Sequence, residues 1–224
     1  MKKIGFITIG EAPRKDIMKD IEPLLSDQLE ILQAGALNNL SMEQIKELAP
    51  DEGDTVLVSA LQSGASVEMA EEKILGRLQE CITNLEDKGA EGIMFLCTGD
   101  FGNAFSSRVP VIYPNKLMYA VVQAVCTDGK LNVLVPDAEQ IEEAEKQWSR
   151  DGLSVKAVHL SPYTNSPEEF KEKIADADFS DAGYIVMDCM GYSAEMKKIA
   201  AEVTGKKVIL PRTLATERLK EIII

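Results

Sequence analysis

Short, almost unbroken apolar runs recur along this chain, each followed by a longer stretch with helical spacing, and that alternation leaves few folds open. Ile4 to Ile9, Gly92 to Cys97, Leu131 to Val135, Ser154 to Leu160, Tyr184 to Asp188 and Lys207 to Leu210 read as strands. Several are too apolar to carry a solvated face, which is the pattern of parallel strands buried on both sides. Leu29 to Leu32 and Thr55 to Ala60 are two further strand candidates, and Val109 to Tyr113 is a short one closed by Pro114. Ile17, Ile21 and Leu24/Leu25 mark the first helix, and Ser41 followed by Gln44 makes a capping box for a short helix to Leu48. Val67 to Lys88 reads as one long amphipathic helix, with Ile74, Leu78, Cys81 and Leu85 on its stripe and Gly89 at its end. The second half supplies helices over Lys116 to Cys126, from an Asp137 cap through Trp148, over Pro167 to Ala175 behind a Ser166 cap, over Ala194 to Val203, and over Arg212 to Glu221. Strands alternating with covering helices predict an α/β protein of parallel sheets in two lobes, with the break near Tyr113 to Lys116.

Charge narrows the partners. The chain has 24 Lys+Arg against 37 Asp+Glu, a formal charge of −13, and no basic run. Nucleic-acid backbones and anionic membranes need a concentrated positive surface, so neither is expected as a partner. A single arginine or a helix N-terminus can still hold one carboxylate in an acidic protein. No apolar run reaches the roughly 18 residues of a spanning helix, and Lys2-Lys3 precedes too short an apolar stretch for a secretory signal. A cytoplasmic protein is expected. The four cysteines form no C-x-x-C pair, which favours reduced thiols, and one histidine gives a zinc site little to work with, so no metal is expected.

Two of the thiols echo each other. Glu91-Gly-Ile-Met-Phe-Leu-Cys97-Thr98-Gly99 and Gly183-Tyr-Ile-Val-Met-Asp-Cys189-Met-Gly191 are both apolar strands ending in C-x-G, one in each half. Ligands of open α/β sheets bind beyond the carboxyl ends of strands, where a thiol also meets backbone N–H groups that favour thiolate. Moving a proton off a carbon beside a carboxylate or carbonyl and returning it on the other face needs a base on one side and an acid on the other. Two cysteines in opposite protonation states would serve, each about 3–3.5 Å from that carbon and therefore about 7 Å apart. The plain alternative is a pair of ordinary buried core cysteines. Cys81 and Cys126 take that alternative directly, each lying among helical apolar residues.

Three segments carry a resemblance: Ile7-Thr8-Ile9-Gly10-Glu11-Ala12-Pro13-Arg14, Val58-Ser59-Ala60-Leu61-Gln62-Ser63-Gly64, and Val186-Met187-Asp188-Cys189-Met190-Gly191-Tyr192. Together they resemble the AroM family. The two-lobe, two-cysteine layout is similar to the wider aspartate/glutamate/hydantoin racemase superfamily, whose members work without pyridoxal phosphate. That resemblance implies two Rossmann-like lobes related by a pseudo-two-fold, with the chain returning at its end: residues 1–114 with 211–224, and residues 115–210. It also implies Cys97 and Cys189 as the acid/base pair and a homodimer. The D-S-G-type loop of glutamate racemases after the first strand is replaced here by Thr8 to Arg14, which puts amino-acid substrates in question.

Around the pair, Arg14 is the candidate anchor for a substrate carboxylate, against the alternative of a surface arginine at a helix start. Thr8, Ser59 and Ser63 lie at or beyond strand ends and could hydrogen-bond a ligand or simply serve turns. Thr98 and Gly99 follow the first thiol, and Gly191, Tyr192 and Ser193 the second, with Ser193 also placed to cap a helix. The glycines would admit a ligand close to the backbone. His159 is a possible cleft residue or a structural histidine. Asp100 is expected to cap a helix after its loop, and Trp148 to pack. The function read from these residues is a cofactor-independent racemase or isomerase acting on a small carboxylate-bearing molecule. The alternatives are a one-cysteine decarboxylase and a two-lobed binding or sensing protein with structural cysteines.

Overall fold

The computed structural model describes residues 1–26, 28–150, 152–163, 166–179 and 182–223. The chain divides into two compact units, Met1–Pro114 with Ala215–Ile224, and Asn115–Leu214. Ile224, the end of the expected first-lobe segment, lies outside the described residues.

In the first unit the elements run β1 (Lys2–Thr8), α1 (Lys15–Ile21), β2 (Leu29–Gly35), α2 (Met42–Lys46), β3 (Val56–Ala60), β4 (Ser66–Ala70), α3 (Glu71–Asp87), β5 (Gly92–Phe95) and β6 (Val111–Ile112). Four of the strands form a parallel sheet in the order β2-β1-β5-β6. Its centre is β1 and β5, whose residues from Ile4 to Thr8 and from Gly92 to Phe95 are all buried. Ser41 and Gln44 make both bonds of the capping box on α2.

One predicted helix is shorter than its spacing suggested. Residues 66–70 are strand β4, paired antiparallel with β3 in a separate two-stranded sheet, with Val56 opposite Ala70 and Ala60 opposite Ser66. The turn at Leu61 to Ala65, with Gly64 at φ +88°, folds them into a hairpin. Strand β4 has no period of its own strong enough to compete with the helix behind it; cross-strand pairing decides its state. Helix α3 starts at Glu71 and buries Ile74, Leu78, Ile82 and Leu85. Cys81 is therefore half-buried at the edge of the stripe, and burial pushes its thiol up to about 11.

The second unit holds α4 (Pro114–Val125), β7 (Lys130–Val135), α5 (Ile141–Trp148), β8 (Ser154–His159), α6 (Pro167–Asp176), β9 (Tyr184–Met187), α7 (Ala194–Thr204), β10 (Lys207–Ile209) and the start of α8 (Pro211–Ile223). Asp137 caps a single 3-10 turn over Ala138–Gln140 that leads into α5, in place of one continuous helix. Ser166 and Glu169 close a capping box on α6. The parallel sheet runs β10-β9-β7-β8. Read from the other edge, β8-β7-β9-β10 reproduces β2-β1-β5-β6: the first strand of each sheet pairs with the second on one side and, on the other, with the third, the strand that a cysteine follows. Helix α8 ends in the first unit, where its Ile223 side chain stands so close to Gly92 that any Cβ there would overlap it, and where Lys2 Nζ donates to the Ile223 carbonyl at 2.7 Å.

Candidate functional site

In the first unit the carboxyl ends of β1 and β5 lie level, with Ile7 opposite Phe95 and Leu96 N donating to Ile7 O. Thr8 ends β1 and is buried, as is Ser59 on β3. Between them lies the guanidinium of Arg14, 5% exposed: its Nη1 donates to Ser59 Oγ at 3.3 Å and to Thr8 Oγ1 at 3.5 Å. The other edge forks onto Asp16, Nε to Oδ1 at 2.8 Å and Nη2 to Oδ2 at 2.6 Å. Thr8, Arg14 and Ser59 thus form one buried polar cluster, and its arginine is a core group, not the surface residue of the alternative reading. Its bidentate edge already holds a carboxylate, that of Asp16, which is 52% exposed. Ser63 lies apart from this cluster at the exposed tip of the β3–β4 hairpin, where its Oγ accepts from Ala65 N.

Cys97 follows β5 by two residues and is 8% exposed. Gly99 N donates to its sulfur at 3.3 Å. Thr98 and Gly99 are half-buried. A Cβ on Gly99 would stand 3.2 Å from Leu57 Cδ2 and from Phe101 Cζ, so the space beside that glycine is lined by the protein's own apolar side chains. Phe101 also belongs to an aromatic group with Phe95, Phe105 and Tyr113, ring centroids 5.3–5.5 Å apart. Asp100 caps no helix, because none forms between β5 and β6; its Oδ1 instead accepts from Gly102 N in a tight turn. Glu71, at the start of α3, is pushed up to about 6 by burial, with Asp100 and Glu72 adding their charge.

The second unit repeats the sulfur turn. Cys189 follows β9 by two residues, is 8% exposed, and its sulfur accepts from Gly191 N at 3.3 Å. An N–H donor two residues on is the same device at both thiols, and it favours negative charge on sulfur. The space beside Gly191 is closed more tightly, since a Cβ there would come within 2.7–2.8 Å of Tyr163 and Pro162. The Tyr163 hydroxyl lies 3.3 Å from Cys189 Sγ. Tyr192 is fully buried, its hydroxyl donating to Leu160 O at 2.8 Å, and burial above all holds its phenol well above the ordinary value. Ser193 Oγ caps α7 by accepting from Met196 N. His159 is exposed at the end of the edge strand β8. Asp188, just past β9, accepts from Trp148 Nε1 at 2.7 Å, and that indole stacks on Tyr119.

Two residues outside the candidates read from the sequence meet the second turn. Tyr163 follows β8 by four positions, just past the strand end that His159 occupies. Arg212 is 1% exposed at the first turn of α8, its Nε and Nη2 donating to Met190 O and its Nη2 to Gly191 O. The available signal was electrostatic: a cation opposes the dipole at a helix N-terminus and therefore needs a dedicated partner. Among the described residues no group of three or more His, Cys, Asp or Glu is placed to hold a metal ion, and no helix is long and apolar enough to cross a membrane.

A family model described as AroM protein matches residues 4–223. Among curated proteins none matches the chain in sequence. In structure it is similar to the allantoin racemase from Klebsiella pneumoniae, with TM-score 0.66 and 16% identity over 100% of this chain and 88% of that one. It is also similar to the maleate isomerase Iso from Pseudomonas putida S16, with TM-score 0.64 and 13% identity over 98% and 92% of the two chains. An unliganded arylmalonate decarboxylase matches with TM-score 0.66 and 10% identity over 100% and 93%. At these identities the likeness is one of fold.

Proposed function

This chain belongs to the AroM family, and on that premise we propose that it is a cofactor-independent racemase or isomerase of a small carboxylate-bearing molecule, with Cys97 and Cys189 as its proton-transfer pair. The carrying observation is the repeated sulfur turn: at equivalent strand ends of two units with the same strand order, a backbone N–H from the residue two positions on reaches each sulfur at 3.3 Å. That donor favours negative charge on sulfur, as a sulfur that alternates between thiol and thiolate requires. In the reaction, one thiolate takes the proton from the carbon beside the carboxylate. The other thiol delivers its own proton to the opposite face of that carbon, leaving the two sulfurs in exchanged protonation states. Thr8, Arg14 and Ser59, joined through Arg14 Nη1, are the polar group to which this reading gives a substrate carboxylate. The fold likeness to a racemase and an isomerase supports this reading.

The test is deuterium incorporation from heavy water into a panel of chiral α-substituted carboxylates, followed by mass spectrometry and chiral separation. Incorporation accompanied by loss of optical purity is expected, with Cys97→Ser and Cys189→Ser each abolishing racemisation. Retained turnover in one of the two variants, with loss of carbon dioxide, would replace this reading by a one-thiol decarboxylation. No exchange on any of the panel would overturn it.

A further inference from the structure

The surroundings of Cys189 contain a charge arrangement that this chemistry does not by itself require. Arg212 is almost completely buried, and it donates through Nε and Nη2 to the carbonyl of Met190. That carbonyl belongs to the same peptide group as the N–H of Gly191, which points the opposite way and donates to the Cys189 sulfur. The guanidinium therefore polarises the very N–H that meets the sulfur, and hydrogen bonds coupled in series strengthen each other in a low-dielectric interior. The hydroxyl of Tyr163 reaches the same sulfur at 3.3 Å.

We propose that Arg212, acting through the Met190–Gly191 peptide, and Tyr163, acting directly, are positioning residues that hold Cys189 as the resting thiolate. The inference rests on the reading of Cys189 as a proton-transfer group and deepens it by naming which sulfur starts as the base. Other ionisable groups lie on the turn itself and on the neighbouring elements. Asp188 precedes it in sequence, and its carboxylate opposes a second negative charge while being held by Trp148 Nε1. Tyr192 follows on the same turn with its hydroxyl committed to Leu160 O. On α7 the first-turn Glu195 is exposed, as is His159 at the end of β8. Against Asp188 stand the Gly191 N–H and the Tyr163 hydroxyl at the sulfur and the Arg212 cation behind the Met190–Gly191 peptide.

The decisive experiment needs no substrate. The ultraviolet thiolate absorbance of Cys189, taken as the difference between the protein and its Cys189→Ser variant, is titrated across the neutral range. Its midpoint is expected below the ~8.5 of an ordinary thiol. Tyr163→Phe should raise the midpoint by about one unit, and Arg212→Met by about one to two, with the charge-conserving Arg212→Lys falling between. A merely structural arginine would give no such ordering. Should Arg212→Met fail to fold, as judged by circular dichroism, Tyr163→Phe and Arg212→Lys decide. A wild-type midpoint at or above ~8.5, or one that Tyr163→Phe leaves in place, overturns the proposal. A midpoint indifferent to Arg212 overturns the part given to that residue. A depressed, variant-sensitive midpoint in a protein that exchanges no substrate deuterium would keep this inference and remove the function proposed above.

Discussion

Substituting Gly191 by alanine places a methyl group where Tyr163 Cζ and hydroxyl would lie 2.7 Å away and Pro162 Cγ 2.8 Å, whereas ordinary carbon contacts begin near 3.4 Å. Ring and proline must retreat by roughly 0.6–0.7 Å, an overpacking that costs about 1–3 kcal/mol. At about 2–4 °C per kcal/mol for a chain of this size, a cost near ~2 kcal/mol lowers the apparent melting temperature by about 4–8 °C. Gly99→Ala is the matched control at the equivalent turn. Its nearest contacts would be 3.2, 3.2 and 3.5 Å, relieved by a few tenths of an ångström, so a loss of no more than about 2 °C is expected. The two variants are compared by calorimetry on the intact chain. In a Tyr163→Ala background the Gly191→Ala cost should fall by about half, since the ring is gone and Pro162 remains. A Gly191→Ala protein that melts with the wild type, or a Gly99→Ala loss as large as its own, would refute this account of the second turn.

Elsewhere, Trp148→Phe keeps the stack on Tyr119 but removes the donor to Asp188, and should cost about 1–2 kcal/mol in urea unfolding. Glu86 provides a test in pH: burial works against its carboxylate, but bonds from Ser107 and Arg108 outweigh it and hold the group down at about 2. A depressed acid stabilises the fold above its unfolded value of ~4.3 and loses that contribution as pH falls toward about 2. The stability gap between the protein and Glu86→Gln should therefore be level above about pH 5 and shrink below ~4.3. Arg108 is 65% exposed, which limits the gap to about 1 kcal/mol; a gap that widens on acidification would refute the assignment.

The α/β alternation was legible because its strands are buried on both faces, so apolarity marks them without reference to distant partners. Caps were legible for the same local reason: Ser41, Ser166 and Ser193 all bond the backbone three residues on. The β3–β4 hairpin was not, because Val67 to Ala70 lead straight into a helical pattern and only pairing with β3 sets them apart. Asp100 was misplaced because an aspartate before a loop reads alike whether it caps a helix or a turn. At the candidate site, the C-x-G repeat pointed to the two sulfurs but could not reveal what meets them. Tyr163 reaches Cys189 across 26 positions and Arg212 reaches Met190 across 22, separations that leave no periodic trace.

The return of α8 to the first unit has a consequence for how the chain is made. Residues 1–114 leave the ribosome long before residues 215–223, yet the Ile223 side chain packs at Gly92 on a central strand and its carbonyl ties Lys2, 221 positions away. The whole of the second unit is synthesised in the interval. Through that time the first sheet waits without the contacts of Ile223 at Gly92 and Lys2, and the order of birth is the reverse of the order of completion: the unit begun first is finished last.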